Sequence, residues 1–138
     1  MITRNAHAVW NDNLKAGSGP MKFGSFEGTY SFATRFENKA GTNPEELIGA
    51  AHAGCFSMAL ANTLDKEGHT PKSVETKADV HLDPAKGAIT RIDLHTTVSA
   101  PGLDDDEFQR LAEDAKKNCP VSKALAGVDI HLDASLTG

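Results

Sequence analysis

Sulfur chemistry in this 138-residue chain rests on two cysteines, Cys55 and Cys119. They stand sixty-four positions apart, so they form neither a CxxC redox loop nor a zinc knuckle, and any chemistry they share must be assembled by the fold. A free thiol has a pKa near ~8.5 and only its thiolate is a strong nucleophile. A reactive cysteine therefore needs a cation, a helix N-terminus or a hydrogen-bond donor beside it. Cys119 precedes Pro120-Val121-Ser122, the pattern of an N-cap residue with proline at the first helical position, where the thiol would face unpaired amides. The plainer reading is a helix-breaking corner with an incidental cysteine. Cys55 lies in the middle of an apolar run, where the dipole of its own helix does little. Without a neighbour to ionise it, Cys55 would be an inert small hydrophobe.

Few cations are available to it. Arg35 is flanked by Thr34 and Phe36 with Phe32 nearby, a setting that partly desolvates a guanidinium and calls for a carboxylate to hold it. A surface strand arginine is the alternative. Glu45 is a candidate carboxylate, because Glu46 is expected to serve in helix capping. Ten positions separate Glu45 from Cys55, about 15 Å of helical rise, so the two cannot meet within one helix. An antiparallel helix from a second copy could bring Glu45 of the other chain to Cys55. His52, three residues before Cys55, shares its side of the helix and could serve as a base in a cysteine hydrolase, as a metal ligand, or simply as a buried hydrogen-bonded side chain. The remaining histidines, His7, His69, His81, His95 and His131, show no recognised ligand spacing.

The elements that must position these groups are legible in outline. Ala6–Trp10, Met21–Phe26 and Tyr30–Phe32 read as a strand meander, with no helix in the first third. Asn43-Pro44-Glu45-Glu46 reads as a helix start, with Asn43 as N-cap, Pro44 at the first position and Glu46 closing a capping box. The apolar pattern then runs to about Glu67, and Gly68 stops it. Val74–Leu82 and Ile89–Val98 alternate as two long hairpin strands with one wet face, turned by Asp83-Pro84-Ala85-Lys86-Gly87. Asp104–Glu107 loads acid at the start of a second helix that carries Phe108, Leu111, Ala112 and Ala115 on one face and ends near Lys116-Lys117. Cys119-Pro120 interrupts it, Val121–Leu125 forms a short turn, and Val128–Leu132 is a final strand.

The helix containing Leu47–Ala61 is apolar nearly all round and rich in glycine and alanine, as in a helix buried on most sides. One domain of this length has few elements with which to surround it. A second copy packed against it, giving a homodimer, is one solution, and a helix wrapped by its own two sheets is the other. The length fits a single domain, residues 1–138, which buries roughly 68–70% of its unfolded surface without disulfide staples. With 14 basic against 19 acidic residues and a net charge of -5, composition argues against nucleic-acid or anionic-membrane partners. The N-terminus lacks a secretory pattern, and His52, Asn62 and two glycines interrupt the apolar stretch Leu47–Leu64. A cytoplasmic protein with no membrane partner is expected, in whose reducing setting two cysteines are more often reactive or buried than bridged.

Thr34-Arg35-Phe36-Glu37, the long segment from Gly41 through Cys55 to Leu60, and Asn118-Cys119-Pro120-Val121-Ser122 resemble the osmotically inducible protein C branch of the OsmC/Ohr family, nearly over the full length. The resemblance implies an α+β fold, an intertwined homodimer with antiparallel β-sheets around long central helices and two sites at the dimer interface. It implies a thiol-dependent peroxidase that prefers organic hydroperoxides to hydrogen peroxide. By matched position, Cys55 takes the peroxidatic role, Cys119 the resolving role, Arg35 stabilises the thiolate and Glu45 holds Arg35. No cofactor or metal is implied, only an external dithiol reductant, for which the family suggests a lipoylated protein. Two other readings stand against it: a non-catalytic thiol stress-sensing or binding dimer, and a cysteine hydrolase using Cys55 and His52.

Overall fold

In the computed structural model, which describes residues 1–137, the stretch Met1–Leu47 is one compact unit and the chain from Ile48 onward is another. The first is an antiparallel meander of β1 (His7–Ala8), β2 (Ser18–Phe23) and β3 (Phe26–Ser31), in that order across the sheet. The expected strand Met21–Phe26 is instead a hairpin, in which Phe23 pairs with Phe26 and leaves Gly24-Ser25 as a two-residue loop. Gly24 makes this possible by adopting φ 53, a left-handed conformation that costs glycine nothing and that two-residue hairpin loops require. β1 is also shorter than its alternation suggests.

The meander ends in a helix where none was expected, α1 (Phe32–Phe36). Tyr30-Ser31-Phe32 reads as strand by composition, but Ser31 and Thr34 form a reciprocal capping box. The Ser31 hydroxyl accepts from the Thr34 amide at 3.2 Å, and Thr34 Oγ1 accepts from the Ser31 amide at 2.8 Å. Arg35 therefore sits on a helical turn and not on a strand. Phe32 and Phe36, four residues apart, pack against each other with ring centroids 4.9 Å apart.

The long helix α2 (Pro44–Lys66) begins as expected at Asn43, whose Oδ1 accepts from the Glu46 amide at 2.8 Å. Its other bonds differ from a regular capping box. The Asn43 amide group donates to Glu46 Oε1 at 3.1 Å and to the Thr34 carbonyl at 3.0 Å, so one side chain both starts α2 and ties it to the end of α1. Asn43→Ala removes all three bonds and is expected to lower unfolding free energy by about 1–2 kcal/mol, readable by chemical denaturation. At the other end Gly68, at φ 82, lets its own amide bond the Asp65 carbonyl while the His69 amide bonds that of Leu64, the paired closure of a Schellman motif.

The second unit carries β4 (Ser73–Asp83), β5 (Ala88–Ser99), α3 (Asp105–Asn118), α4 (Pro120–Ala124) and β6 (Asp129–Thr137). β4 and β5 form the expected antiparallel hairpin. β6 is longer than its apolar alternation first suggests and pairs parallel to β5. The expectation of antiparallel sheets thus fails for this one pairing, because the crossover through α3 and α4 returns the chain in the same direction as β5. Gln109 and Lys116 of α3 donate to the carbonyls of Ala134 and Ile130, occupying acceptors of β6 at the sheet edge.

Packing in this unit explains the pattern on α2. His52, Phe56, Leu60 and Leu64, spaced four apart, are fully buried with Ile92, Leu94 and Val98 of β5 and Phe108, Leu111, Ala112 and Ala115 of α3. Ala51, Gly54, Met58 and Asn62 form the opposite row and are exposed, Met58 at 76%. The chain alone therefore buries one face of a helix that the sequence predicts to be buried on most sides. By length and composition α2 could also cross a membrane, with a mean hydropathy of 1.3. Phe56→Ala would leave a cavity in the middle of the buried stripe, and a loss of about 3–5 kcal/mol in denaturation is expected.

Candidate active site

The fold of the second unit does to Cys55 and Cys119 what no local motif could. Cys55 projects from α2 three residues after His52, while Cys119 is at once the C-cap of α3 and the N-cap of α4. Pro120 at the first position of α4 removes an amide that would have no helical partner and turns the backbone at Cys119 extended, at φ -61 and ψ 121. The two Sγ atoms lie 2.9 Å apart, as free thiols in hydrogen-bond contact. Cys119 is fully buried and Cys55 half-buried. An open groove runs past Cys55, walled by Met58, Asn62 and Lys66 of α2 and by Asn118 and Pro120.

The environment treats the two sulfurs unequally. Burial pushes the Cys55 thiol up, its contact with Cys119 adds to this, and a backbone amide of Val121 offsets only part. Burial also opposes ionisation of Cys119, but contact with Cys55, the Ser122 amide and hydroxyl and the Val121 amide outweigh it and hold its pKa below the ordinary thiol value. None of these forms a complete side-chain capping bond, yet the α4 groups sit at the helix start where the sequence places unpaired amides. Among the described residues, none of the groups that shift Cys55 is a cation.

Arg35 and Glu45 are brought together in the first unit. Arg35 Nε donates to both carboxylate oxygens of Glu45, at 3.1 and 3.2 Å, and Nη2 donates to Oε1 at 2.7 Å. The guanidinium also lies 5.3 Å from the ring centroid of Phe36. Glu45 is buried, whereas Arg35 keeps part of its fork accessible, with the side chain 36% exposed. The partly desolvated, carboxylate-held arginine read from Phe32 and Phe36 is what the structure contains. Beside it lies an apolar pocket of about 200 Å³ walled by Trp10, Tyr30, Phe32 and Phe36. Trp10 and Tyr30, with ring centroids 5.1 Å apart, escaped the sequence reading. That they are the only tryptophan and the only tyrosine was the available signal.

His52 does not pair with Cys55. Its Nε2 bonds the Ser122 hydroxyl at 2.8 Å and its Nδ1 has no hydrogen-bond partner, which removes the base from the hydrolase reading. Burial lowers its pKa, so the ring is neutral at physiological pH. Ser122 was also missed, although it stands three residues after an N-cap cysteine, where a capping partner belongs. Among the described residues no group of three or more His, Cys, Asp or Glu side chains is placed to hold a metal ion.

Comparison with known proteins bears on this arrangement. Residues 36–133 match the family model described as OsmC-like protein. The chain is 46% identical over 140 aligned residues to Peroxiredoxin OsmC of Escherichia coli, covering 98% of this chain and 97% of that protein. It is 32% identical to the organic hydroperoxide resistance protein OhrB of Bacillus subtilis, over 70% of this chain and 72% of the relative. In three dimensions it resembles the crystal structure of an OsmC-like protein from Mycoplasma pneumoniae, with a TM-score of 0.77 at 17% identity over 99% of both chains. That last likeness speaks to the fold alone. On the family match and the near full-length relative together, the chain belongs to the OsmC-like family.

Proposed function

We infer that the protein is a thiol-dependent peroxidase that reduces organic hydroperoxides, with Cys55 as attacking and Cys119 as resolving thiol. The observation that carries this reading is the 2.9 Å approach of two free thiols, one facing a groove and the other buried behind it. The kinship with a peroxiredoxin and a hydroperoxide resistance protein supports it. The Cys55 thiolate attacks one oxygen of the O–O bond. An S–O bond forms, the O–O bond breaks, and the leaving alkoxide takes a proton to become an alcohol. Cys119 then attacks the sulfur of the sulfenic acid, a disulfide forms, and the hydroxyl leaves as water. Because Cys119 already touches Cys55, this step competes well with further oxidation to sulfinic acid.

Burial disfavours the Cys55 thiolate, so a cation must offset it, and the Arg35–Glu45 pair is the candidate. On the helical spacing between Glu45 and Cys55, that pair comes from a second copy. The exposed row Ala51, Gly54 and Met58 supports a homodimer in which α2 packs against its counterpart. The apolar pocket next to Arg35 suits the organic tail of a hydroperoxide. On this reading the whole chain acts as one domain in the cytoplasm, needs no prosthetic group, and is returned to the dithiol form by an external dithiol such as a lipoylated protein.

The test is stoichiometric oxidation by an organic hydroperoxide followed by mass spectrometry. The wild type should yield an intramolecular Cys55–Cys119 disulfide. Cys119→Ser should still consume the first equivalent of peroxide but accumulate sulfenic, then sulfinic acid on Cys55. An unmodified Cys55 in either protein after one equivalent of peroxide would sink the mechanism.

A further inference from the structure

The Arg35–Glu45 ion pair is only as well aimed as the two helices that carry it, and one buried side chain, Asn43, holds both. Arg35 stands on α1, a helix of five residues too short to satisfy its own last carbonyls, and Glu45 stands in the first turn of α2. The amides of Glu37 and Lys39 both turn to the Ala33 carbonyl, while the Thr34 carbonyl is met by a side chain. Asn43 Nδ2 donates to it at 3.0 Å, and this oxygen belongs to the peptide unit that bears the Arg35 amide. Asn43 Oδ1 accepts from the Glu46 amide at 2.8 Å, in the peptide unit that follows Glu45. One planar amide thus grips the backbone just before Arg35 and just after Glu45, and the bonds from Arg35 Nε and Nη2 to the Glu45 carboxylate close a ring. Its orientation is fixed by its partners. Nδ2 also meets Glu46 Oε1 at 3.1 Å, so a flipped amide would set its oxygen against a carbonyl and a carboxylate and its NH₂ against an N–H. The connecting loop is guided as well. The Thr42 amide donates to the Thr29 carbonyl at 3.1 Å, and Gly41, at φ 149, runs so close to α1 that a Cβ there would stand 2.7 Å from Thr34 Cγ2. That packing keeps α1 beside the start of α2 when Asn43 is changed, so its loss tilts the ion pair without parting it.

We propose that Asn43 is the positioning residue of the Arg35–Glu45 pair, acting through the backbone of both to aim the accessible part of the guanidinium fork at the attacking sulfur. Its role in turnover rests on the peroxidase reading and on Arg35 as the cation that serves Cys55, but its hold on the guanidinium does not. Capping α2 needs only an acceptor at this position, which serine supplies as well as asparagine. The donor Nδ2 has no use in a cap. Its bonds to the Thr34 carbonyl and to Glu46 are what asparagine adds, and the first of them reaches out of α2 to the peptide unit that carries Arg35.

Asn43→Ser in the full-length protein separates capping from positioning. The serine hydroxyl still accepts from the Glu46 amide but stops an atom short of the Thr34 carbonyl. Stability lost in Asn43→Ala should therefore be largely regained in Asn43→Ser, while the aim of Arg35 should not. The first measurement needs no peroxide. In nitrogen-edited proton NMR spectra, the Arg35 Nε–H signal, identified by its disappearance in Arg35→Ala, should shift and exchange faster with water in Asn43→Ser and Asn43→Ala alike. Second, kcat/KM for an organic hydroperoxide at neutral pH should fall about tenfold in both variants, the loss expected of a charged donor that is present but misaligned. Added to Arg35→Ala, Asn43→Ser should cost nothing further, because its effect passes through the side chain already removed. An Arg35 signal unmoved in Asn43→Ser overturns the proposal. So does a rate that recovers in Asn43→Ser together with stability, and so does a further loss on top of Arg35→Ala. A wild type that consumes no hydroperoxide, or an Arg35→Ala variant as fast as the wild type, would instead overturn the peroxidase reading or the part of Arg35 in it, while the Arg35 signal still decides what Asn43 does.

Discussion

Cys55→Ser is expected to lose at least about 10³-fold in hydroperoxide reduction, measured as peroxide consumed in the presence of excess dithiol. The exchange alters one atom and leaves the fold intact, since Cys55 is only half-buried and a serine hydroxyl can keep a hydrogen bond to Cys119. Two things are lost with the sulfur. The hydroxyl does not ionise in the physiological range, whereas a thiol does so with modest help, and oxygen cannot take up a second oxygen as sulfur does in sulfenic acid. Cys119 does not substitute for it. Although hydrogen bonds lower its pKa, it is 0% exposed and faces Cys55, not the groove. The variant should therefore show neither turnover nor a first-equivalent burst, which separates it from Cys119→Ser. Undiminished activity in Cys55→Ser would remove the attacking role from that residue.

What the sequence reveals of this arrangement divides along physical lines. The capping of α2 by Asn43, the stop at Gly68, the β4–β5 hairpin and the buried face of α3 follow from local chemistry and simple periodicity, so they are legible in the order of residues alone. The setting of Arg35 is legible only in part, because two phenylalanines near an arginine favour a carboxylate partner but leave a surface strand arginine as the alternative until the fold decides. Features that depend on a choice between two local signals are harder. Met21–Phe26 has the composition of a strand, but one glycine with a positive φ folds it back. Tyr30-Ser31-Phe32 has the composition of another, but the Ser31–Thr34 capping box starts a helix there. The parallel pairing of β6 with β5 is set by how α3 and α4 carry the chain, which no pattern within Val128–Leu132 encodes. The same holds for Ser122 against His52, seventy positions apart and joined only by the fold.

Arg35→Ala is expected to lower kcat/KM for an organic hydroperoxide by about 10²–10³-fold at neutral pH, the effect of removing one charged donor from a site where charge develops. The size follows from what Cys55 lacks. Its own unit raises the thiol pKa by burial and by contact with Cys119, so if Arg35 is the cation that offsets this, as proposed, its loss makes the reactive thiolate scarce. The loss should therefore shrink as pH rises. An Arg35→Ala enzyme gains thiolate with each step toward alkaline pH, while the wild type, ionised earlier, gains less, so the two pH–rate curves converge. Arg35→Lys should restore only part of the rate, because a single ammonium cannot engage both Glu45 oxygens as Nε and Nη2 do. Glu45→Gln keeps the shape of the carboxylate but puts an amide donor against a donor of the fork, and a loss of about tenfold is expected with kcat/KM again the readout. Copies that mix Arg35→Ala in one chain with Cys55→Ser in the other then decide where the arginine comes from. If it acts across a dimer, half of the mixed dimers' sites carry both lesions and the other half neither, so they retain about half of wild-type activity. If it acts within its own chain, every site carries one lesion and activity stays near that of the weaker parents.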